Sequence, residues 1–158
     1  MRSGLNCKRR IGQLFHLKPA TATAQSVLDL LYLVSNSRFG EEWTVTEFCG
    51  ELLDALTAEK VLLQYLDDDV KPVAFTTYCF LTEEEATLNE EEGFYPSLET
   101  YQRKDGDQIW SYWTVVSKKG NGFNLMRQAR NFLRPTYGVR PVYFFRDYDL
   151  SKTHRGSL

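Results

Sequence analysis

The sequence has few residues of the kinds that build metal or disulfide sites, because its 158 residues include only three cysteines and two histidines. Cys7, Cys49 and Cys79 are odd in number and widely spaced, which predicts reduced thiols in a cytosolic protein. The run Asp67–Asp69 lacks the spacing of a calcium loop and indicates a solvated hairpin tip. A disulfide framework and a metal site are therefore not expected, and a cytoplasmic location is.

The chain also lacks an apolar run long enough to cross a bilayer, so no transmembrane segment is expected. Its net charge is −2, which gives no reason to expect nucleic-acid binding through bulk charge. The charge is uneven, however. Residues 1–20 carry five cations and no acid, whereas residues 83–92 carry six glutamates.

One domain is the expectation for this length. Residues 1–23 show no sustained periodicity and indicate a basic, loosely held N-terminal extension. Residues 24–150 form the predicted domain, and residues 151–158 a frayed C-terminal tail.

Alternating β-branched and aromatic residues predict four strands. They are Val61–Leu66, Val73–Leu81, Ile109–Val116 and Pro141–Phe145. Two helices are expected before the first strand, the second capped by Thr46. A short acidic helix follows the second strand, where Thr82 and Glu85 have capping-box spacing. Tyr95–Lys104 indicates a connection or a weak strand. The fold class expected is α/β (α+β), a mixed sheet flanked by helices with a right-handed βαβ unit at its end.

The third predicted strand is expected to be central, because both of its faces are apolar. Strict alternation places Ile109, Trp113 and Val115 on one face, and Trp110, Tyr112 and Val116 on the other.

A glycine loop follows this strand and leads into a predicted helix, Asn121–Leu133, which Pro135 is expected to stop. Asn121 is the expected N-cap. A helix N-terminus behind such a loop attracts anions, for example a phosphate on a carrier or cofactor. The candidate binding residues are Lys118, Lys119, Gly120, Asn121, Gly122, Arg127 and Arg130. An ordinary turn with solvated lysines is the alternative.

The order of elements resembles the GNAT acyltransferase core. Several short motifs along Val27–Asp147 carry a closer resemblance. They are Leu31-Tyr32-Leu33 with Ser37 and Trp43, Pro72-Val73-Ala74-Phe75, Leu81-Thr82-Glu83-Glu84-Glu85, Gly106-Asp107 with Trp110, and Gly120-Asn121-Gly122 with Met126-Arg127. In order and spacing these motifs resemble those of the RTX toxin-activating lysine acyltransferases of the hemolysin-activating type, and the resemblance is that of a divergent member.

The resemblance implies a GNAT-like fold that takes a fatty acyl group from acyl carrier protein. The acyl group would pass to lysine side chains of a protein acceptor, such as an RTX-type protoxin. No bound cofactor is implied, since acyl-acyl carrier protein is the donor. The oligomeric state stays open, with a homodimer as one alternative.

The family's two catalytic side chains have no counterpart here. Gly40 replaces a histidine three residues before Trp43, and Trp113 replaces an aspartate three residues after Trp110. Neither replacement can act as a general base. Asp107, Asp147 or the tail histidine, His154, would have to supply one, and the sequence selects none of them.

Three hypotheses follow: an acyltransferase with another base, a pseudoenzyme that binds a protein or an acyl chain, and a shared fold without shared function. If the alignment with the family is right and the groove is otherwise intact, Gly40→His and Trp113→Asp are expected to raise acyl transfer, and Gly40→His alone to be the cleaner experiment.

Overall fold

The computed structural model describes residues 14–67, 69–92, 95–145 and 153–157. Six strands form one sheet in sequence order. They are β1 (Phe15–Pro19), β2 (Val61–Leu66), β3 (Ala74–Leu81), β4 (Gln108–Val116), β5 (Pro141–Phe145) and β6 (Thr153–Ser157). Only the pair β4–β5 is parallel, and the other neighbours are antiparallel. The predicted mixed sheet, its four strands and the central place of β4 are confirmed.

Two segments that the sequence analysis placed outside the domain belong to the sheet. Phe15–Pro19 was expected in the basic extension but pairs with β2, and Thr153–Ser157 was expected in the frayed tail but pairs with β5. Backbone hydrogen bonds to a neighbouring strand hold such short segments, and an apolar pattern in the segment itself is not required. Residues 1–13 of the expected extension lie outside the described residues.

The helices lie between these strands. They are α1 (Ala24–Ser35), a 3₁₀ turn (Arg38–Glu41), α2 (Val45–Phe48), a π-helical turn (Cys49–Leu53), α3 (Asp54–Thr57), α4 (Glu83–Glu92), α5 (Leu98–Gln102) and α6 (Gly122–Tyr137). The predicted capping box before α4 is confirmed, because the Glu85 backbone N–H donates to Thr82 Oγ1 and the Thr82 N–H donates to Glu85 Oε2.

Three helix boundaries differ from the prediction. Thr44 caps α2 through a capping box with Glu47, so Thr46 is not the cap. Tyr95–Lys104 contains α5, which Ser97 caps. Pro135 does not stop α6, which continues to Tyr137. A proline in the last turn removes one donor from a hydrogen-bond ladder that is about to end in any case, so the loss there is small.

A β-bulge divides β4. Thr114 pairs with Thr76 and Ser111 with Tyr78, so Tyr112 and Trp113 together face Thr77. The prediction that put Ile109, Trp113 and Val115 on one face is therefore wrong. An extra residue shifts the alternation of side chains beyond it to the other face.

The sheet is covered on both sides. On one face, Phe75, Trp110 and Val115 belong to a core with α1, the helical stretch 45–57 and α5, and Trp113 packs against that core. On the other, Phe80 and Ile109 pack with α6. The first of these faces is called the α1 face below. Within the described residues no helix is both long and apolar enough to cross a membrane.

The glycine loop is held against the hairpin of β2 and β3 at one point. A Cβ atom on Gly120 would lie 2.6 Å from the Val73 carbonyl oxygen, whereas one on Gly122 would meet only Val116 Cγ2, at 3.6 Å.

Gly120→Ala is therefore expected to lower the free energy of unfolding by about 1–3 kcal/mol, as overpacking does. Gly122→Ala is the matched control and should stay within about 1 kcal/mol of the wild type. Urea unfolding measures both changes. Equal effects of the two substitutions would contradict the close approach at Gly120.

Candidate functional site

The loop between β4 and α6 is fixed by backbone hydrogen bonds. The Ser117 N–H donates to the Val73 carbonyl at 2.9 Å, and the Gly120 N–H to the Ser117 carbonyl at 3.0 Å. Asn121 is the N-cap of α6, as predicted, and its Oδ1 accepts from the Asn124 N–H at 2.9 Å. The sequence pattern thus located a rigid turn that leads into a long helix.

A groove of about 450 Å³ lies beside this loop. It is lined by Tyr32, Asn36, Asp69, Val70, Lys71, Pro72, Val73, Ser117, Lys118 and Lys119. Three of these residues are lysines and one is an aspartate, so the lining is positively charged. Lys71 Nζ lies 4.7 Å from the centre of the Tyr32 ring. A groove of this charge suits an anionic group.

The structure brings only some of the predicted binding residues to the groove. Lys118 and Lys119 line it, and Gly120 fixes the loop behind them. Arg127 and Arg130 are exposed on α6, about 8 and 12 Å along the helix axis from Gly122. They do not line the groove. Any role for these two arginines therefore concerns the surface around the groove.

An aromatic cluster occupies the place to which the family resemblance assigned catalysis. Phe39, Trp43 and Trp113 contact one another, and the two indole rings meet edge to face with centroids 4.7 Å apart. Ser37 caps the 3₁₀ turn that carries Phe39, since its Oγ accepts from the Phe39 N–H and donates to the Val34 carbonyl. Its role in the structure is that of a cap.

Gly40 lies in the same turn and has no room for a side chain. A Cβ atom there would be 2.6 Å from the Ser35 carbonyl oxygen. The expectation that Gly40→His would be the cleaner experiment is therefore wrong, because the histidine would displace backbone. Trp113→Asp would in turn remove an aromatic ring from the cluster, at about 3–5 kcal/mol for lost packing.

The sequence offered three alternative general bases, Asp107, Asp147 and His154, and the structure describes the side chain of Asp107 alone. Asp107 precedes β4 and accepts from the Glu83 N–H at 3.1 Å, at the start of α4. It is six residues before Trp113, about 20 Å along the strand. Asp107 is therefore remote from both the aromatic cluster and the groove. Asp147 and the side chain of His154 lie outside the described residues.

Glu51 is a candidate that the sequence analysis missed. The Trp113 indole Nε1–H donates to Glu51 Oε2 at 3.1 Å, which puts a carboxylate against the aromatic cluster. Burial raises the pKa of Glu51, the Trp113 hydrogen bond lowers it, and the charge of Glu47 raises it, with a net upward shift. The one sequence signal for Glu51 is its spacing of three residues from Phe48, which puts the two side chains on the same side of a helix.

Comparison with known proteins supports the fold. No family model and no curated protein sequence matches the chain. The loading GNATL domain of CurA from Lyngbya majuscula is similar, with a TM-score of 0.60 and 12% identity over 83% of this chain and 64% of that one. Mosquito arylalkylamine N-acetyltransferase like 5b has a TM-score of 0.51 and 11% identity over 83% of this chain and 76% of that one.

These likenesses confirm the GNAT-like fold, and at such identities they show the fold alone. The chain spans 64% of the length of the CurA domain. Neither similar structure is described as a toxin-activating protein, so that narrower resemblance depends on the sequence motifs.

Two glutamates one helical turn apart have pKa shifts of opposite sign. The raised pKa of Glu51 means that its stabilising contribution is full below the unfolded-state pKa and is lost as pH rises through the folded-state pKa. The pKa of Glu47 is lowered by its hydrogen bonds with Thr44, so its contribution is present above the unfolded-state pKa and is lost as pH falls.

We expect Glu51→Gln to raise the melting temperature at neutral pH, and the gain to shrink as pH falls through the raised pKa of Glu51. Glu47→Gln should lower the melting temperature at neutral pH, with a loss that also shrinks toward acid. Thermal melts across this pH range measure both. Shifts of the same sign would contradict the environment described for Glu51.

Proposed function

We propose that the protein is a GNAT-type acyltransferase that moves an acyl group from a carrier thioester to a lysine amine of another protein. The observation that carries the proposal is the lysine-lined groove beside the rigid loop before α6. The three lysines of the groove favour a phosphate group, and acyl carriers hold their thioester on a phosphate-linked arm.

The sequence motifs support acyl carrier protein as the donor. Acyl carrier proteins are acidic, and Lys118, Lys119, Arg127 and Arg130 offer cations in the groove and on the adjoining helix surface. The same motifs favour an RTX-type protoxin as acceptor. Of the two similar structures, one is described as an arylalkylamine N-acetyltransferase like protein and the other as a loading domain, and both descriptions are compatible with acyl transfer.

The second candidate function is a pseudoenzyme that binds a carrier or an acyl chain without transfer. Its specific support is the aromatic packing of Trp113 against Trp43, together with the closed space at Gly40. These features put no general base at the family's two catalytic positions.

Acyl carrier protein loaded with a radiolabelled acyl chain separates the two functions. Incubation with an amine acceptor such as a lysine-containing peptide should place label on the peptide if the protein is an acyltransferase. Label that stays on the carrier in a complex with the protein would favour the pseudoenzyme. Absence of both transfer and complex formation would overturn carrier binding.

Charge reversal tests the docking surface. Lys119→Glu with Arg127→Glu should weaken carrier binding mainly through a slower association rate, with a reduced dependence on salt. Lys18→Glu with Lys104→Glu reverses two exposed cations that lie neither in the groove nor on α6, and is the control with the same net charge. Stopped-flow association at low salt provides the measurement. If the first pair binds carrier as fast as the wild type does, the carrier docks elsewhere.

A further inference from the structure

We infer that Glu51 takes the proton from the acceptor amine during acyl transfer. This inference rests on the proposed function, because it assigns a residue to that reaction.

The carboxylate is held in one orientation. Phe48 and Leu52 are buried and anchor the helical stretch on either side of the residue. Trp113 Nε1–H fixes Oε2, and no hydrogen bond from the described residues reaches the second oxygen, Oε1. Oε1 is the atom that has a lone pair available for a proton. Glu51 lies in a π-helical turn, and such turns are frequent at functional sites.

The like charge of Glu47, on α2, makes the Glu51 carboxylate a stronger base. The other titratable groups in electrostatic range of Glu51 are Tyr112 of β4 and Tyr101 of α5, and the charge of Glu51 raises the pKa of both. None of these groups is cationic, and within the described residues Glu51 takes part in no salt bridge. Burial and like charge together raise the pKa of its carboxyl group. A base works best when its pKa is near the working pH, and this shift moves Glu51 in that direction.

The neighbouring acid, Glu47, already accepts hydrogen bonds at the start of α2. Both the backbone N–H and the hydroxyl of Thr44 donate to Glu47 Oε2, at 2.6 and 2.8 Å, which makes Glu47 part of the cap of α2. Its pKa is lowered by the same bonds, so it is a weaker base. Of the two glutamates, only Glu51 contacts the aromatic cluster.

Strand β4 leads from the groove to Trp113, the residue that contacts Glu51. Ser117 lines the groove, and Trp113 is four residues earlier, about 13 Å back along β4. Asn36 and Phe39 make the same connection from the other side, since Asn36 lines the groove and Phe39 contacts Trp113. Within the described residues, β5 pairs with β4 only over Ile109–Ser111, so an extended carrier arm whose phosphate lies in the groove would reach Trp113 and Glu51 along the remaining edge of β4.

The step is balanced without any further reactant. The amine nitrogen attacks the thioester carbonyl carbon, a C–N bond forms, and Glu51 Oε1 receives one proton from that nitrogen. The C–S bond then breaks, and its electron pair leaves with the carrier sulfur. The proton passes from Glu51 to the thiolate, which gives an amide, a carrier thiol and an ionised Glu51 ready for the next cycle.

Glu51→Gln tests this assignment with an isosteric side chain whose carbonyl can still accept from Trp113. We expect kcat for transfer from labelled acyl carrier protein to a lysine peptide to fall by about 10²–10⁴-fold, the usual contribution of a general base. Carrier affinity should be unchanged, and thermal melts check the fold. Glu90→Gln removes an exposed carboxylate of α4 and should leave kcat within about threefold of the wild type, since α4 has no part in this scheme.

A second variant has a readout that a merely structural role would not change. Trp113→Phe removes the hydrogen bond that lowers the pKa of Glu51. The acid limb of its kcat–pH profile should therefore shift to higher pH relative to the wild type. This comparison needs no change at Glu51 itself.

The outcomes separate the two claims. If the wild type transfers the acyl group and Glu51→Gln does so with the same kcat, the assignment of Glu51 is wrong and the proposed function stands. The same conclusion follows if the acid limb of the kcat–pH profile does not shift in Trp113→Phe. A wild-type protein that transfers nothing would overturn both. Loss of transfer in Glu51→Gln together with loss of carrier binding would overturn the assignment too, because a proton acceptor does not hold the carrier.

Discussion

Thr77 faces both Tyr112 and Trp113 of β4 at the β-bulge. The positions of Trp113 and of Glu51 on the α1 face depend on this bulge. Thr77 Oγ1 accepts from the Trp113 backbone N–H at 2.9 Å, so a side chain supplies the acceptor that regular pairing would have lost. The bulge turns Trp113 toward Phe39 and Trp43, and through its indole nitrogen it holds Glu51. Without the extra residue, Trp113 and Trp110 would face opposite sides of the sheet.

The same pair of strands also fixes the groove. The Val73 carbonyl, just before β3, accepts from the Ser117 N–H and leaves no room for a Cβ on Gly120. The lysines at 118 and 119 are thereby placed on a turn whose backbone is restrained at both ends. On the other face of the bulge, Thr76, Ser111 and Thr114 hydrogen-bond to one another within 3.1 Å, which satisfies hydroxyls that α6 covers. The β3–β4 pair is thus the rigid support of both parts of the site.

The sequence predicted the parts of this arrangement that are local. The period-two runs located four strands, and the glycine loop with Asn121 located the start of α6, because turn chemistry and capping act between residues close in the chain. The bulge, the edge strand Phe15–Pro19 and the contact of Trp113 with Glu51 depend on residues distant in sequence. No pattern along one strand shows which residue its partner places opposite. For that reason the sequence did not single out Glu51, which is 62 residues from Trp113.

The closed space at Gly40 bears on the histidine that the sequence resemblance places there. A site in which glycine simply stood in place of a histidine would have a cavity beside Gly40. The Ser35 backbone instead occupies that position, and Phe39, Trp43 and Trp113 pack together next to it. The turn is therefore built around contacts that leave no place for a histidine. Beside these contacts an acid with a raised pKa is kept half-buried against an indole, where ionisation opposes stability. A glutamine would satisfy the same indole N–H without that cost, so packing alone does not account for a carboxylate at this position.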